Sequence, residues 1–358
     1  MFVRTLATAT LIAVAVPAGA TAAPTPDDGY PDQPAGVAFP TAEWPTGDLA
    51  PTADRAAIDV AVDAGFGAAD AAGRVQAVIV VQGGRIVYER YHPLDGPDRV
   101  YDSFSVAKSF TSALVGLLVA EGRLALDDPA PVAEWQSPGD PRQAITLRHL
   151  LQMSSGLTWE EAYDAESLGG QLIGAENAAA LTAAQPLESA PGTVFEYSTG
   201  TSALLAGIAA VELGGCQAAL DYVNARLLDP IGISTDVLLT DGRGCWFGGF
   251  GANMTTRDFA RFGLLYLRGG HWDGEQIVPT SWIDESRAPA ASNAGYGLQF
   301  WLAEDGRSFS AEGLFGQRIV VVPDADLVIV TNSTGGGDPY TMVDRIRAAI
   351  DPQLVGTR

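Results

Sequence analysis

YDSFSVAKSFTSALVGLLVAEGRLALDDP, residues 101–129, places a serine three positions before a lysine at the opening of an apolar helix. Phe110, Leu114, Leu117 and Leu118 fall on one face at helical spacing, and Gly122 stands where a C-terminal cap is expected. Residues three apart share a helical face, so this spacing puts Ser105 within hydrogen-bond reach of Lys108. The two make a nucleophile beside a base, at a helix N-terminus whose amides favour developing negative charge. As a bare pattern it carries little weight. Composition sharpens it: of the 21 lysines and arginines in the chain, only Lys108 is a lysine. Arginine stays protonated, whereas an ammonium in a dry site can lose its proton. A chain that uses arginine everywhere else therefore keeps lysine where a guanidinium would not serve.

On the N-terminal side, Val75 to Val81 is β-branched and apolar, Gly83-Gly84 supplies a hairpin turn, and Arg85 to Tyr91 alternates. Ile58 to Ala71 has helical spacing. On the C-terminal side the spacing predicts helices around 149–153, 178–182, 202–212, 218–228 and 256–267. Strand-like runs follow at 297–302, 308–311, 318–322 and 327–331, with turn residues Asp305-Gly306 and Pro323-Asp324, and a last helix at about 341–350. Two N-terminal and three C-terminal strands make one antiparallel five-stranded sheet, with the helical middle inserted beside it. The fold class is α/β (α+β). Its parts are an α/β sheet domain over 55–125 and 270–355 and a helical insertion domain over 126–269.

With 47% hydrophobic and 18% charged residues, the 358-residue chain is globular rather than disordered or collagen-like. Its net charge of -22 would repel phosphate backbones and anionic lipid surfaces, which argues against nucleic acid as a partner. Residues 1–22 have the form of a secretory signal peptide: Arg4, an apolar stretch from Leu6 to Val16, then Ala18, Gly19, Ala20, Thr21 and Ala22. The apolar stretch is about half the ~20 residues that span a bilayer, and Pro17 ends it, so no stable membrane anchor is expected. Residues 23–54 form a Pro/Gly-rich arm, with Phe39 and Trp44 as docking points. Cys216 and Cys245 are the two cysteines. In an oxidising compartment they form a disulfide; the equal alternative is two unpaired thiols. The three histidines, His92, His149 and His271, are scattered without ligand spacing, so no metal site is expected. There is no Gly-x-Ser-x-Gly elbow and no phosphate-binding fingerprint in a suitable context, and no organic cofactor is expected.

The segment at 101–129 resembles the nucleophile helix of the serine beta-lactamase and penicillin-binding-protein superfamily, in its class C and esterase branch. Similar segments follow in the family's order: LRHLLQMSSGLTW at 147–159, FEYSTG at 195–200, TTRDFARFGLLYLRGG at 255–270 and AEGLFGQRIVVVPDADLVIV at 311–330. MSSGLTW and GLFGQ are most similar to the 6-aminohexanoate-dimer hydrolases, which cleave a linear amide and have esterase relatives. The resemblance implies a beta-lactamase/transpeptidase-like fold and an acyl-enzyme mechanism without metal or cofactor. Ser105 would be the nucleophile and Lys108 its partner. Tyr197 would be the general base, its phenolate stabilised by Lys108. The backbone amides of Ser105 and Leu314 would form the oxyanion hole, with Gly313 letting the strand approach closely. Read without the motifs, Tyr197 is a packed tyrosine and Gly313 a turn glycine.

Three departures shape the expected substrate. Thr199 stands where the family's second motif has asparagine. Ala311-Glu312-Gly313 replaces a Lys-Thr-Gly or His-x-Gly motif, so the cation that meets a beta-lactam carboxylate is missing, and Glu312 would repel an anion if it faced the cleft. No Glu-x-x-Leu-Asn segment supplies a deacylating glutamate. Trp159, Tyr163 and Trp246 lie near the motifs and are candidate cleft residues alongside Thr199, Glu312 and Gly313. The expected function is an exported serine hydrolase acting on small-molecule esters or linear amides. The alternatives are a beta-lactamase or D,D-peptidase and, from another class, a catalytically silent relative that binds cell-wall fragments or peptides.

Overall fold

A computed structural model describes residues 34, 36–67, 74–234, 237–304, 306–335 and 338–354. The signal segment, the first part of the arm, residues 68–71 of the first expected helix and Asp305 of the expected 305–306 turn lie outside the described residues.

The strands β1 (Val75–Gln82), β2 (Arg85–Tyr91), β3 (Trp301–Leu302), β4 (Phe309–Gly313), β5 (Gln317–Val322) and β6 (Leu327–Ser333) form one antiparallel sheet, in the order β2-β1-β6-β5-β4-β3. The register sets Ile79 opposite Val330, Val330 opposite Ile319, and Ile319 opposite Ala311. Six strands replace the expected five. The sixth is the tail of the run at 297–302: Gln299 takes a left-handed φ of 64°, so only Trp301 and Leu302 reach pairing distance of β4.

Helices cover both faces. Ala77, Ile79 and Val81 alternate into a core with α2 (Ala107–Ala120) and α4 (Thr256–Leu267). Val78, Val80 and Val320 point the other way, into a core with α1 (Arg55–Phe66) and α5 (Pro339–Ile350). Burial on both faces explains why β1 reads as an unbroken apolar run. A β-carbon at Gly263 of α4 would lie 2.7 Å from Ile319 and Val328, so glycine sets how closely this helix seats on the sheet.

α2 departs from a one-faced amphipathic helix: every residue from Ala107 to Leu118 is buried. It lies between the sheet and α3 (Thr199–Leu213), with Phe110 stacked on Phe262 of α4 and the Trp282 ring filling the space beside Gly116. Each buried Phe or Leu in such a position contributes about 1.5–3 kcal/mol. The helix that follows Ser105 is thereby held on all sides.

α4 lies inside the expected 126–269 insertion, yet it packs on the sheet. Ala252–Thr255, just before it, pairs with Val100–Tyr101. α4 thus packs with the sheet body: β1, β5 and β6 cover one side of it, and Phe110 of α2 stacks on its Phe262. The described part of the arm docks through the two expected aromatics. Trp44 Nε1 donates to the Arg257 carbonyl (3.2 Å), and Phe39 packs on Trp272.

Cys216 and Cys245 are bridged, with Cα atoms 4.5 Å apart. The bond ties the helix after α3 to the loop that leads to Gly249, and closing a loop of this length contributes ~3.5 kcal/mol in the chain-entropy model.

Candidate active site

The turn before α2 aims the serine. Ser103 is fully buried; its amide donates to Asn253 Oδ1 (3.0 Å), and its hydroxyl donates to the Phe104 carbonyl (3.0 Å) and accepts from the Ala252 amide (2.9 Å). Phe104 then takes a left-handed φ of 44°, a costly conformation for a bulky side chain that the anchored Ser103 enforces. Ser105 follows in a single tight turn and remains partly open to solvent, whereas Lys108 is 1% exposed.

Lys108 Nζ donates to three oxygens: Ser105 Oγ (3.0 Å), Thr199 Oγ1 (2.8 Å) and the Gly249 carbonyl (2.9 Å). Thr199 opens α3, whose N-cap Ser198 accepts from the Thr201 amide. A β-carbon at Gly249 would lie 2.7 Å from Thr199, so glycine is required to bring that carbonyl to the amine. Burial lowers the Lys108 pKa to about 8, partly countered by the negative charge of Glu161. Lys108 can therefore become a neutral amine near neutral pH.

The Tyr197 ring lies over the amine, 4.9 Å from its centroid to Lys108 Nζ. It stacks on Trp301 (5.6 Å, 24°) and meets Tyr296 edge-on. Burial first, then Tyr296 and Glu161, push its pKa well above that of a free phenol, against the opposing effect of its hydrogen bond with Ser105. These surroundings, burial above all, favour the phenol form of Tyr197 over the phenolate expected from the resemblance.

Gly313 ends β4 against the turn. A β-carbon there would lie 3.1 Å from the Ser105 nitrogen and 2.5 Å from the Ser103 carbonyl oxygen. Its φ of -132° is ordinary, so close approach is what demands glycine. Leu314 begins the next turn, and Phe315 (φ 66°) closes edge-on against Phe104, with centroids 5.3 Å apart.

The remaining expected cleft residues separate. Thr199 is at the site as a partner of Lys108. Tyr163 is 40% exposed; its hydroxyl donates to Glu161 and lies 3.2 Å from Thr199 Oγ1. Trp159 is packed with Leu172, Ala203 and Phe247, and Trp246 belongs to the main core. Both are wall rather than cleft, since each ring is almost fully enclosed. Glu312 shares a sheet face with Val320 and α5, where it accepts from Arg318 (2.8 Å) and Tyr340 (3.2 Å). It turns away from Ser105 because strand alternation gives the inner face to Ala311 and Gly313.

Glu161, Tyr296, Trp301 and Gly249 were not singled out from the sequence. Gly249 had a signal in the FGGFG run at 247–251. Glu161 had none, since Glu160 beside it is the same residue type.

The sequence profile of the Beta-lactamase family matches residues 68–351. The chain is 27% identical over 290 residues to a 6-aminohexanoate-dimer hydrolase of Paenarthrobacter ureafaciens, covering 72% of each protein. It is 32% identical over 215 residues to Esterase EstB of Burkholderia gladioli, covering 52% of this chain and 53% of the esterase. The solved structure of a Bacillus anthracis protein, provisionally described as a 6-aminohexanoate-dimer hydrolase, superposes with a TM-score of 0.70 at 24% identity, covering 88% of each chain. The profile runs from the first sheet strand through the last long helix and takes in the serine, the buried lysine and the tyrosine above it; this chain belongs to the Beta-lactamase family, as a serine hydrolase of the branch that holds amidases and esterases.

Proposed function

We propose that this protein is an exported hydrolase that forms an acyl-enzyme on Ser105, with esters and linear amides as substrates. The observation that carries this reading is the three-way grip on Lys108. A neutral amine has two N–H groups and one lone pair. With the N–H groups held by Thr199 Oγ1 and the Gly249 carbonyl, the lone pair is left for the Ser105 hydroxyl.

In this mechanism Lys108 takes the Ser105 proton as Oγ attacks the substrate carbonyl. The oxyanion forms between the amides of Ser105 and Leu314. Tyr197, held as a phenol, passes its proton to the leaving alcohol or amine and regains one from Lys108. Water then enters by the reverse relay and releases the acid. Tyr197→Phe is expected to leave the fold intact and slow acylation about 100-fold. A stopped-flow acylation rate within about twofold of wild type would remove the tyrosine from the relay.

The substrate class rests on Ala311, which offers no cation for a beta-lactam carboxylate, and on the relatives named for ester and linear-amide hydrolysis. The turned-away Glu312 no longer contributes to it. Export is supported by the form of residues 1–22 and by the Cys216–Cys245 bridge.

One preparation tests these points together. Protein recovered from the culture medium is treated with a fluorophosphonate and peptide-mapped, with an adduct expected on Ser105 and an N-terminus at Thr21 or Ala23. Rates are then compared on a p-nitrophenyl ester, a linear aminohexanoate dimer and a chromogenic cephalosporin, the ester being turned over fastest. Efficient cephalosporin hydrolysis with little ester activity would establish a beta-lactamase instead. An unlabelled Ser105 would favour a silent binding protein, and protein found only inside the cells with an intact Met1 would overturn export.

A further inference from the structure

We propose that Glu161 is a positioning residue, which acts through Thr199 to hold the Lys108 amine toward Ser105. The proposal rests on the acyl-enzyme reading above and adds a residue to it.

The Glu161 carboxylate collects four donors. Trp159 Nε1 reaches Oε2 at 2.6 Å, the Tyr163 hydroxyl reaches Oε1 at 2.5 Å, the Thr199 amide reaches Oε2 at 2.8 Å, and the Thr199 hydroxyl donates to Oε1. A threonine hydroxyl has one proton and two lone pairs, and an ionised carboxylate only accepts. Glu161 thus takes the single Thr199 proton, and the lone pairs of Thr199 Oγ1 are left to face Lys108 Nζ at 2.8 Å.

The sense of that bond matters. If the Thr199 hydroxyl turned its proton toward the amine, it would occupy the lone pair that must accept from Ser105. Lys108 would then stay in place but point its basic orbital at the wrong partner. Thr199 is the residue that departs from the family's asparagine. A hydroxyl proton rotates to whichever acceptor is at hand, and Glu161 is the acceptor that holds it away from the amine.

The titratable groups around the amine are Glu161 and Tyr163 from the loop after Trp159 and Tyr197 from the approach to α3, with Tyr296 behind it. Among them Glu161 is the carboxylate, and its charge raises the pKa of Lys108. Its removal has two separable consequences. The acid limb of kcat/KM moves to lower pH, because an ammonium that loses a nearby anion gives up its proton more readily. The plateau above the limb falls, because the lone pair is less well aimed.

The test uses ester hydrolysis and fluorophosphonate labelling across pH. Glu161→Gln is expected to lower the plateau kcat about tenfold, the loss typical of a hydrogen bond to a charged group, with KM nearly unchanged. It should also move the acid limb down by about one pH unit. A merely structural role would lower thermal stability without moving the limb. Thr199→Val should lower the plateau similarly and Thr199→Ser should restore it, which carries the test if Glu161→Gln does not fold. Folded Glu161→Gln with an unchanged limb and plateau, or Thr199→Val as active as Thr199→Ser, would overturn the proposal. A wild-type protein that does not label at Ser105 would instead overturn the acyl-enzyme reading.

Discussion

Ser105→Ala is expected to lower ester hydrolysis by about 10⁵-fold or more, the scale on which removal of a serine nucleophile collapses a coupled catalytic unit. Among the described residues, none near Ser105 offers a substitute. Lys108 is 1% exposed and bonded to three oxygens, and burial pushes the pKa of the nearby Tyr197 up. Alanine at position 105 removes the hydrogen bonds of a partly exposed hydroxyl with Lys108 and Tyr197 and no large apolar group, so thermal unfolding should shift little. Fluorophosphonate labelling should disappear along with turnover. Activity within about a hundredfold of wild type, with the melting transition unchanged, would place the nucleophile elsewhere.

Lys108→Arg should be nearly as damaging, by about 10³-fold, within the range general base catalysis supplies. A guanidinium stays protonated, and its planar fork does not match three oxygens gathered around a single nitrogen. The same chemistry predicts the pH profile of the wild type. With Lys108 at about 8 and the neutral amine as the active form, kcat/KM should rise with pH through that value and level off above it. Below it the rate should fall about tenfold per unit as the ammonium accumulates. The arginine variant should show no such limb. Substantial activity in the arginine variant, or a profile flat between pH 6 and 9, would mean that the lysine supplies only positive charge.

Much of this site is local in the chain and was therefore legible early. Ser105 and Lys108 are three residues apart across the turn that leads into α2, so their meeting is a property of that short local segment. The single lysine among 21 basic residues marked the position as chemical rather than solvating. The hairpin of β1 and β2 and most helices could be read for the same reason, since each rests on a periodicity within ten or so residues. The local signal weakened where backbone conformation broke the period. Gln299 turns left-handed inside an apolar run, so that run becomes a two-residue edge strand.

Residue types and spacing determined the sheet-and-helix class and the meeting of Ser105 with Lys108, and the resemblance singled out Tyr197. Tertiary structure decided what those groups are electrically and which neighbours serve them. The surroundings that push the Tyr197 phenol pKa up are burial first and then Tyr296 and Glu161, which lie far from it in sequence and act through space. The direction of Glu312 followed from the parity of β4 against β5 and from Arg318 and Tyr340 on the outer face. Glu160 and Glu161 are the same residue type, and only packing chooses the carboxylate that reaches Thr199. Hydrogen-bond direction and dielectric surroundings are sums over neighbours in space, and a linear chain names those neighbours only after it has folded.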